Sequence, residues 1–183
     1  MKNIFLQYKP FIVFLTKFLI SYLILSLIYE SYLNQFNQKP QEVDGFTTFV
    51  ATNTIDSLIF FNQNAVQKPN LLEPSIKLIY NNKYVARVVE GCNALSVIIL
   101  FISFVIAFTG KLKHTLVFIL LGSLTIHILN VARIALLCVL LYRFPEFEHL
   151  LHGVIFPLII YGFVFLLWII WVNKFSIYAE KSI

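Results

Sequence analysis

The chain has 183 residues, of which 59% are hydrophobic and 13% charged, with 19 phenylalanines and a formal net charge of +5. Soluble domains average about 45–50% apolar and about 25% charged residues, and a core of this size cannot hide so much apolar surface from water. These values exclude a disordered chain, a coiled coil and a nucleic-acid-binding tail, and they argue against a soluble globular enzyme. Lipid is the expected solvent, and the length fits a single integral membrane domain, 1–183.

Apolar runs of about 20 residues are long enough to cross a bilayer as helices. The first covers residues 11–29. It contains Lys17 and ends without a small-residue cleavage site, so a retained span is expected rather than a cleaved signal. An outer segment, 30–91, follows. Within it Asp44 is placed to cap a helix from Gly45 to about Phe61, with Phe46, Val50, Leu58 and Ile59 on one apolar side. That helix is expected on the membrane surface. Pro69 and Pro74 break the chain, and residues 75–80 and 83–89 read as two short strands joined at Asn81-Asn82. The second apolar run is 94–108, short for a span unless extended to 92–109, and the third and fourth spans are 115–142 and 150–172, the last with Trp168 and Trp171 near an interface. The expectation is an all-α polytopic membrane protein of about four transmembrane helices, its outward-facing segment holding a surface helix and a short β-hairpin.

Short loops orient such a bundle through their lysines and arginines. Lys2 and Lys9 precede the first span, Lys111, Lys113 and His114 link the second to the third, and Lys174 and Lys181 follow the fourth. The link with Arg143, Glu146 and Glu148 is net acidic. Both termini and the 110–114 loop are therefore expected in the cytoplasm, with 30–91 and 143–149 outside.

Arg133 lies inside the third span, where an arginine costs about 2.5–3.5 kcal/mol on insertion scales. It either snorkels outward or faces the bundle. Ser123, His127, Asn130 and Arg133 recur at three- and four-residue spacing, a polar stripe that favours the inward face. Cys92 opens the second span at the same outer level. A helix N-terminus and a nearby guanidinium would both favour its thiolate, while Glu90 would oppose it. The plain alternative is a small packing residue in line with Ser96, Ser103 and Ala107. Cys138, inside an apolar run, reads as packing, and no disulfide framework is indicated. His149 and His152 open the fourth span at i, i+3 spacing and are either interface caps or site residues. A zinc site would need two more ligands, and neither H-x-x-x-H nor C-x-x-C is present, so no metal or cofactor is expected. His114 belongs to the opposite side. A thiol, an arginine and a histidine pair from three spans thus meet at one membrane surface, a set sufficient for acyl transfer through a thioester.

Glu90-Gly91-Cys92-Asn93-Ala94-Leu95-Ser96, then Asn130-Val131-Ala132-Arg133-Ile134, then His149-Leu150-Leu151-His152-Gly153 resemble the exosortase/archaeosortase family. Phe156-Pro157 through Tyr161-Gly162, with Val164-Phe165 and Trp168 after it, looks like the short exosortase F type of Bacteroidetes. The resemblance covers roughly residues 84–175. It implies a membrane cysteine transpeptidase or protease of the cell inner membrane, its site facing the periplasm. The implied partners, besides the lipid bilayer, are exported proteins with a C-terminal sorting signal: a short motif, a transmembrane helix and a basic tail. Carried over, Cys92 is the acyl-thioester nucleophile, Arg133 the proton donor or charge stabiliser, and His149 or His152 the third member. His149 stands four residues before Gly153, as the family's histidine commonly does before a glycine, and His152 adjoins that glycine. Two departures stand out. Many members carry Cys-Ser-Gly where this chain has Cys92-Asn93-Ala94, and larger members have more spans, which makes this chain a minimal core or one with a partner subunit. The competing readings are a non-catalytic membrane subunit that binds a partner helix or ion through Arg133 and His127, and a thiol oxidoreductase, which the lack of a second cysteine near Cys92 disfavours.

Overall fold

A computed structural model describes residues 2–36, 42–108 and 110–176, with side chains from Tyr8 onward. Thr109, at the end of the second expected span, and Lys181 lie outside the described residues. The chain is mostly helical: α1 (Lys2–Leu33), α2 (Gly45–Phe60), strands β1 (Ala65–Pro69), β2 (Ile76–Tyr80) and β3 (Lys83–Val88), then α3 (Leu95–Ala107), α4 (Leu112–Arg143), the one-turn α5 (Glu148–Leu150) and α6 (Phe156–Lys174).

Three helical stretches are long and apolar enough to cross a membrane: Tyr8–Leu33, Leu112–Arg143 and Pro145–Lys174. At 1.5 Å per residue each exceeds the roughly 30 Å of a hydrocarbon core. The expected second span differs. Its helix, α3, has only 13 residues, about 20 Å, because Ala94 at φ 66° breaks the helical path before it can reach Cys92.

Of the three buried apolar clusters among the described residues, two position the site. α3, α4 and α6 share one, around Phe101, Val105, Ile126, Val164 and Trp171. Phe101 is fully buried and lies against Gly122 of α4; a Cβ there would fall 2.3 Å from the ring, so only glycine lets the two helices come this close. α1 flanks this bundle through Phe14, whose ring meets Phe104 and Phe108. At one end Trp171 donates its indole N–H to the Phe108 carbonyl at 3.1 Å, and Gly110 bridges to Ser176. That clasp gathers the 110–114 loop, with His114 beside Phe175, and the end of α6 at one end of the bundle.

The second core lies at the other end, where α2 and the sheet pack on α4. Val50, Leu78, Val88, Ile134 and Cys138 are among its buried members. Asp44 caps α2 as the sequence predicts, its carboxylate accepting the Thr47 N–H at 2.9 Å. The apolar side of α2 is shifted from expectation: Val50 and Leu58 are buried, but Ile59 is exposed, as are Phe60 and Phe61. The hairpin also forms as predicted. Asn81 (φ 49°) and Asn82 (φ 61°) both take the left-handed conformation that a two-residue turn between twisted strands requires. β1, which sequence patterning does not announce, pairs antiparallel with β2 and makes a sheet of order β1-β2-β3. A bulge at Val85 interrupts the β2–β3 register between Ile79↔Tyr84 and Leu78↔Ala86.

Candidate functional site

Cys92 closes a 3-10 turn, Glu90–Cys92, that joins β3 to α3. Its own N–H donates to the Val89 carbonyl at 2.9 Å. The thiol therefore precedes α3 by three residues rather than opening it, because the left-handed Ala94 turns the chain away from the helix axis. Ala94 holds a left-handed conformation that costs an L-residue about 1–2 kcal/mol and glycine nothing. It occupies the position at which many members of the resembled family carry the glycine of Cys-Ser-Gly.

Asn93 fixes the turn. Its buried amide donates to Thr47 Oγ1 at 3.0 Å and to the Tyr29 hydroxyl at 3.3 Å, and its Oδ1 accepts the Leu95 N–H at 2.9 Å. One side chain thus ties the Cys92 turn to α1, α2 and the start of α3. Sequence patterning passes over this residue, since a single asparagine beside a cysteine carries no periodic signal.

α4 holds Cys92 from the other side. Asn130, 1% exposed, donates its Nδ2–H to the Cys92 carbonyl at 2.9 Å. Arg133, nearly one turn on, places its guanidinium where it interacts electrostatically with the Cys92 sulfur and, more weakly, with the Tyr161 hydroxyl of α6. The polar stripe of α4 does face inward, but it divides. His127 Nε2 pairs with Asn53 Nδ2 at 3.0 Å and its ring stacks on Phe49, so it serves the α2 contact. Asn130 and Arg133 serve the thiol. Ser123 Oγ is buried with no hydrogen-bond partner. The small-residue line on α3 holds at Ser103 and Ala107, which are buried, while Ser96 is exposed.

A pocket of about 640 Å³ opens beside the sulfur. Its walls are β3, Val89, Cys92, Leu137 and Leu141 of α4, and Pro145, Glu148 and His152 from the segment that follows. His152 lines this pocket and His149 does not. Both are exposed. Their i, i+3 spacing does not keep them on one face because the backbone there is not a regular α-helix. A 3-10 turn, the one-turn α5 and a π-helical turn at Leu151–Ile155 follow one another, and the Phe156 N–H reaches back five residues to the Leu151 carbonyl. Each change of pitch rotates the residues beyond it. Cys138 lies in the α2–sheet–α4 core, fully buried, and both cysteines are free. Among the described residues, no three His, Cys, Asp or Glu side chains converge as a metal ion would need.

The arrangement offers a cysteine in electrostatic interaction with an arginine, its main chain pinned by a buried amide, and an imidazole on the wall of the same pocket. No protein-family profile, curated protein or solved structure matches the chain.

Proposed function

We propose that the chain is an exosortase-like cysteine transpeptidase or protease of the inner membrane, which cleaves the C-terminal sorting signal of exported proteins at the outer membrane face. The observation that carries this reading is Cys92 lining one pocket together with His152, with the Arg133 guanidinium in electrostatic interaction with its sulfur. In this scheme α1, α3, α4 and α6 make four spans with both termini cytoplasmic. In that scheme the 90–94 turn that precedes α3 extends its passage on the outer side.

The chemistry follows from the groups present. His152 takes the thiol proton, and the Arg133 charge favours the resulting thiolate. The sulfur attacks a substrate carbonyl carbon, and a C–S bond forms as the carbonyl π electrons move to oxygen. Arg133 stabilises that oxyanion, the role of fixed donors in acyl transfer. As the oxyanion collapses the C–N bond breaks, and the leaving amine receives the proton from His152. A thioester on Cys92 remains. An incoming water or amine gives its proton to His152, attacks the thioester and releases the thiolate.

Processing in cells tests the reading, measured as the ratio of full-length to cleaved substrate at matched enzyme level. Cys92→Ser barely changes size but exchanges a thiolate for a hydroxyl, so cleavage should nearly stop. Arg133→Lys keeps the charge and loses the planar fork, and it should fail as well. His152→Ala should stop cleavage and His149→Ala should impair it less. The family spacing to Gly153 supports the opposite order, which makes this pair a direct comparison of motif with pocket. Normal processing by Cys92→Ser would remove the cysteine mechanism and leave a binding subunit acting through Arg133.

A further inference from the structure

β3 is an edge strand, and its outer edge faces the Cys92 pocket. In the three-stranded sheet it pairs only with β2. Among the described residues no other element hydrogen-bonds the main chain of Lys83–Val88. The pocket touches Lys83, Tyr84, Val85, Ala86 and Arg87 in succession. Side chains alternate between the two faces of a strand except at the bulge, where Val85 and Ala86 both pack on the core, so a groove lying over the core face alone would miss Tyr84. Tyr84 and Val85 confirm the distinction. Tyr84 is half exposed with Lys77 over its ring, whereas Val85 packs against the buried core. A groove bordered by both runs along the strand edge, against unpaired main-chain N–H and C=O groups. The opposite edge is blunted: β1 ends in Pro69 and carries Lys68.

The strand gives the groove its length. From Lys83 to Arg87, both of which line it, is about 13 Å. That leaves room for about four extended residues.

We infer that the substrate's acyl-side residues bind as a fourth strand on the free edge of β3, which delivers the scissile carbonyl to Cys92. This rests on the catalytic reading above and specifies how that site holds its peptide. Direction follows from the sorting signal. Its transmembrane helix lies C-terminal to the cleaved motif and must stay at the bilayer, so the motif runs outward from Cys92 toward Lys83. The bound segment is then parallel to β3. Main-chain pairing supplies the affinity, and the side chains of alternate residues reach the α4 wall. The Val85 bulge fits this use, since bulges recur beside active sites where an edge must be re-aimed.

The test uses the full chain in lipid nanodiscs and a randomised, N-acetylated tetrapeptide pool ending in a chloromethyl ketone, which has four amide nitrogens. The Cys92 thiolate displaces chloride from the ketone's methylene carbon, and mass spectrometry reads the labelled fraction. Four further pools carry a single backbone N-methyl group, one at each peptide nitrogen. Strand pairing turns every second N–H toward β3, and one hydrogen bond is worth about 0.5–1.5 kcal/mol. Methylation should therefore slow labelling about 3- to 10-fold at two alternate positions and leave the two between them unchanged. Equal slowing at all four positions, or at none, would overturn the inference. Iodoacetamide, which needs no groove, separates the two claims. If it labels Cys92 while the methylation pattern is flat, only the strand-pairing claim fails. If it leaves Cys92 untouched, the catalytic reading fails with it.

Discussion

Gly122→Ala tests the closeness of α3 and α4, on which the Cys92–Arg133 contact depends. On an exposed helix the change would help, since alanine is favoured over glycine by about 1 kcal/mol. Here the added Cβ meets Phe101 Cζ at 2.3 Å and Cε1 at 2.6 Å. Ordinary carbon contacts start near 3.5 Å, so the ring would have to retreat by roughly 1.2 Å. Phe101 is fully buried and its ring is rigid. Overpacking of this kind costs about 1–3 kcal/mol, and so deep an overlap belongs at the upper end. The net expectation is a loss of about 2 kcal/mol, or roughly 4–8 °C in midpoint for a chain of this size. The assay is thermal unfolding in detergent, followed by a thiol-reactive dye that reaches Cys138 only when its core opens, in a Cys92→Ser background. Phe101→Leu should rescue Gly122→Ala, with a coupling of about 1 kcal/mol or more between the two. An unchanged or raised midpoint for Gly122→Ala alone would refute the close approach.

Three further changes probe the turn and the outer module. Asn130→Ala leaves the Cys92 carbonyl without its donor, at a cost of about 1–3 kcal/mol, and processing should fall more steeply than the unfolding midpoint. Ala94→Gly relieves the left-handed strain and should keep processing intact, whereas Ala94→Val, β-branched at φ 66°, should abolish it; equal processing by both would show that the turn does not hold this conformation. Asp44→Ala removes the cap of α2 and should cost about 1 kcal/mol, read as faster proteolysis in the 45–60 region and restored by Asp44→Asn.

Local chemistry made some of this structure legible in the sequence and pitch hid the rest. Asp44 before an apolar run and Asn81-Asn82 between alternating segments announce a cap and a turn, because each acts through its nearest neighbours. The common level of Cys92 and Arg133 follows from counting residues along spans whose ends the lysines mark. The start of α3 was not visible: hydropathy sees an unbroken apolar run after Asn93, but not the φ of Ala94. β1 was hidden for a related reason. Five residues with one buried side chain, Ala65, carry too little alternation to read, and Pro69 argues against a strand without showing that it sits at an edge. The two histidines were indistinguishable because their rotation about the chain depends on a π-turn that no residue pattern in Leu151–Ile155 declares.

The order in which the chain is made gives the Cys92 turn a further property. Its partners on α4 come late: Asn130 follows Cys92 by 38 residues, and Arg133 by three more. The sheet, α2 and the turn are all synthesised before them. A growing chain therefore forms the Cys92 turn before either α4 side chain that meets it exists. Only when α4 docks against α3 does the Cys92 carbonyl gain its Asn130 donor, so the turn is completed after the sheet and α2 that flank it.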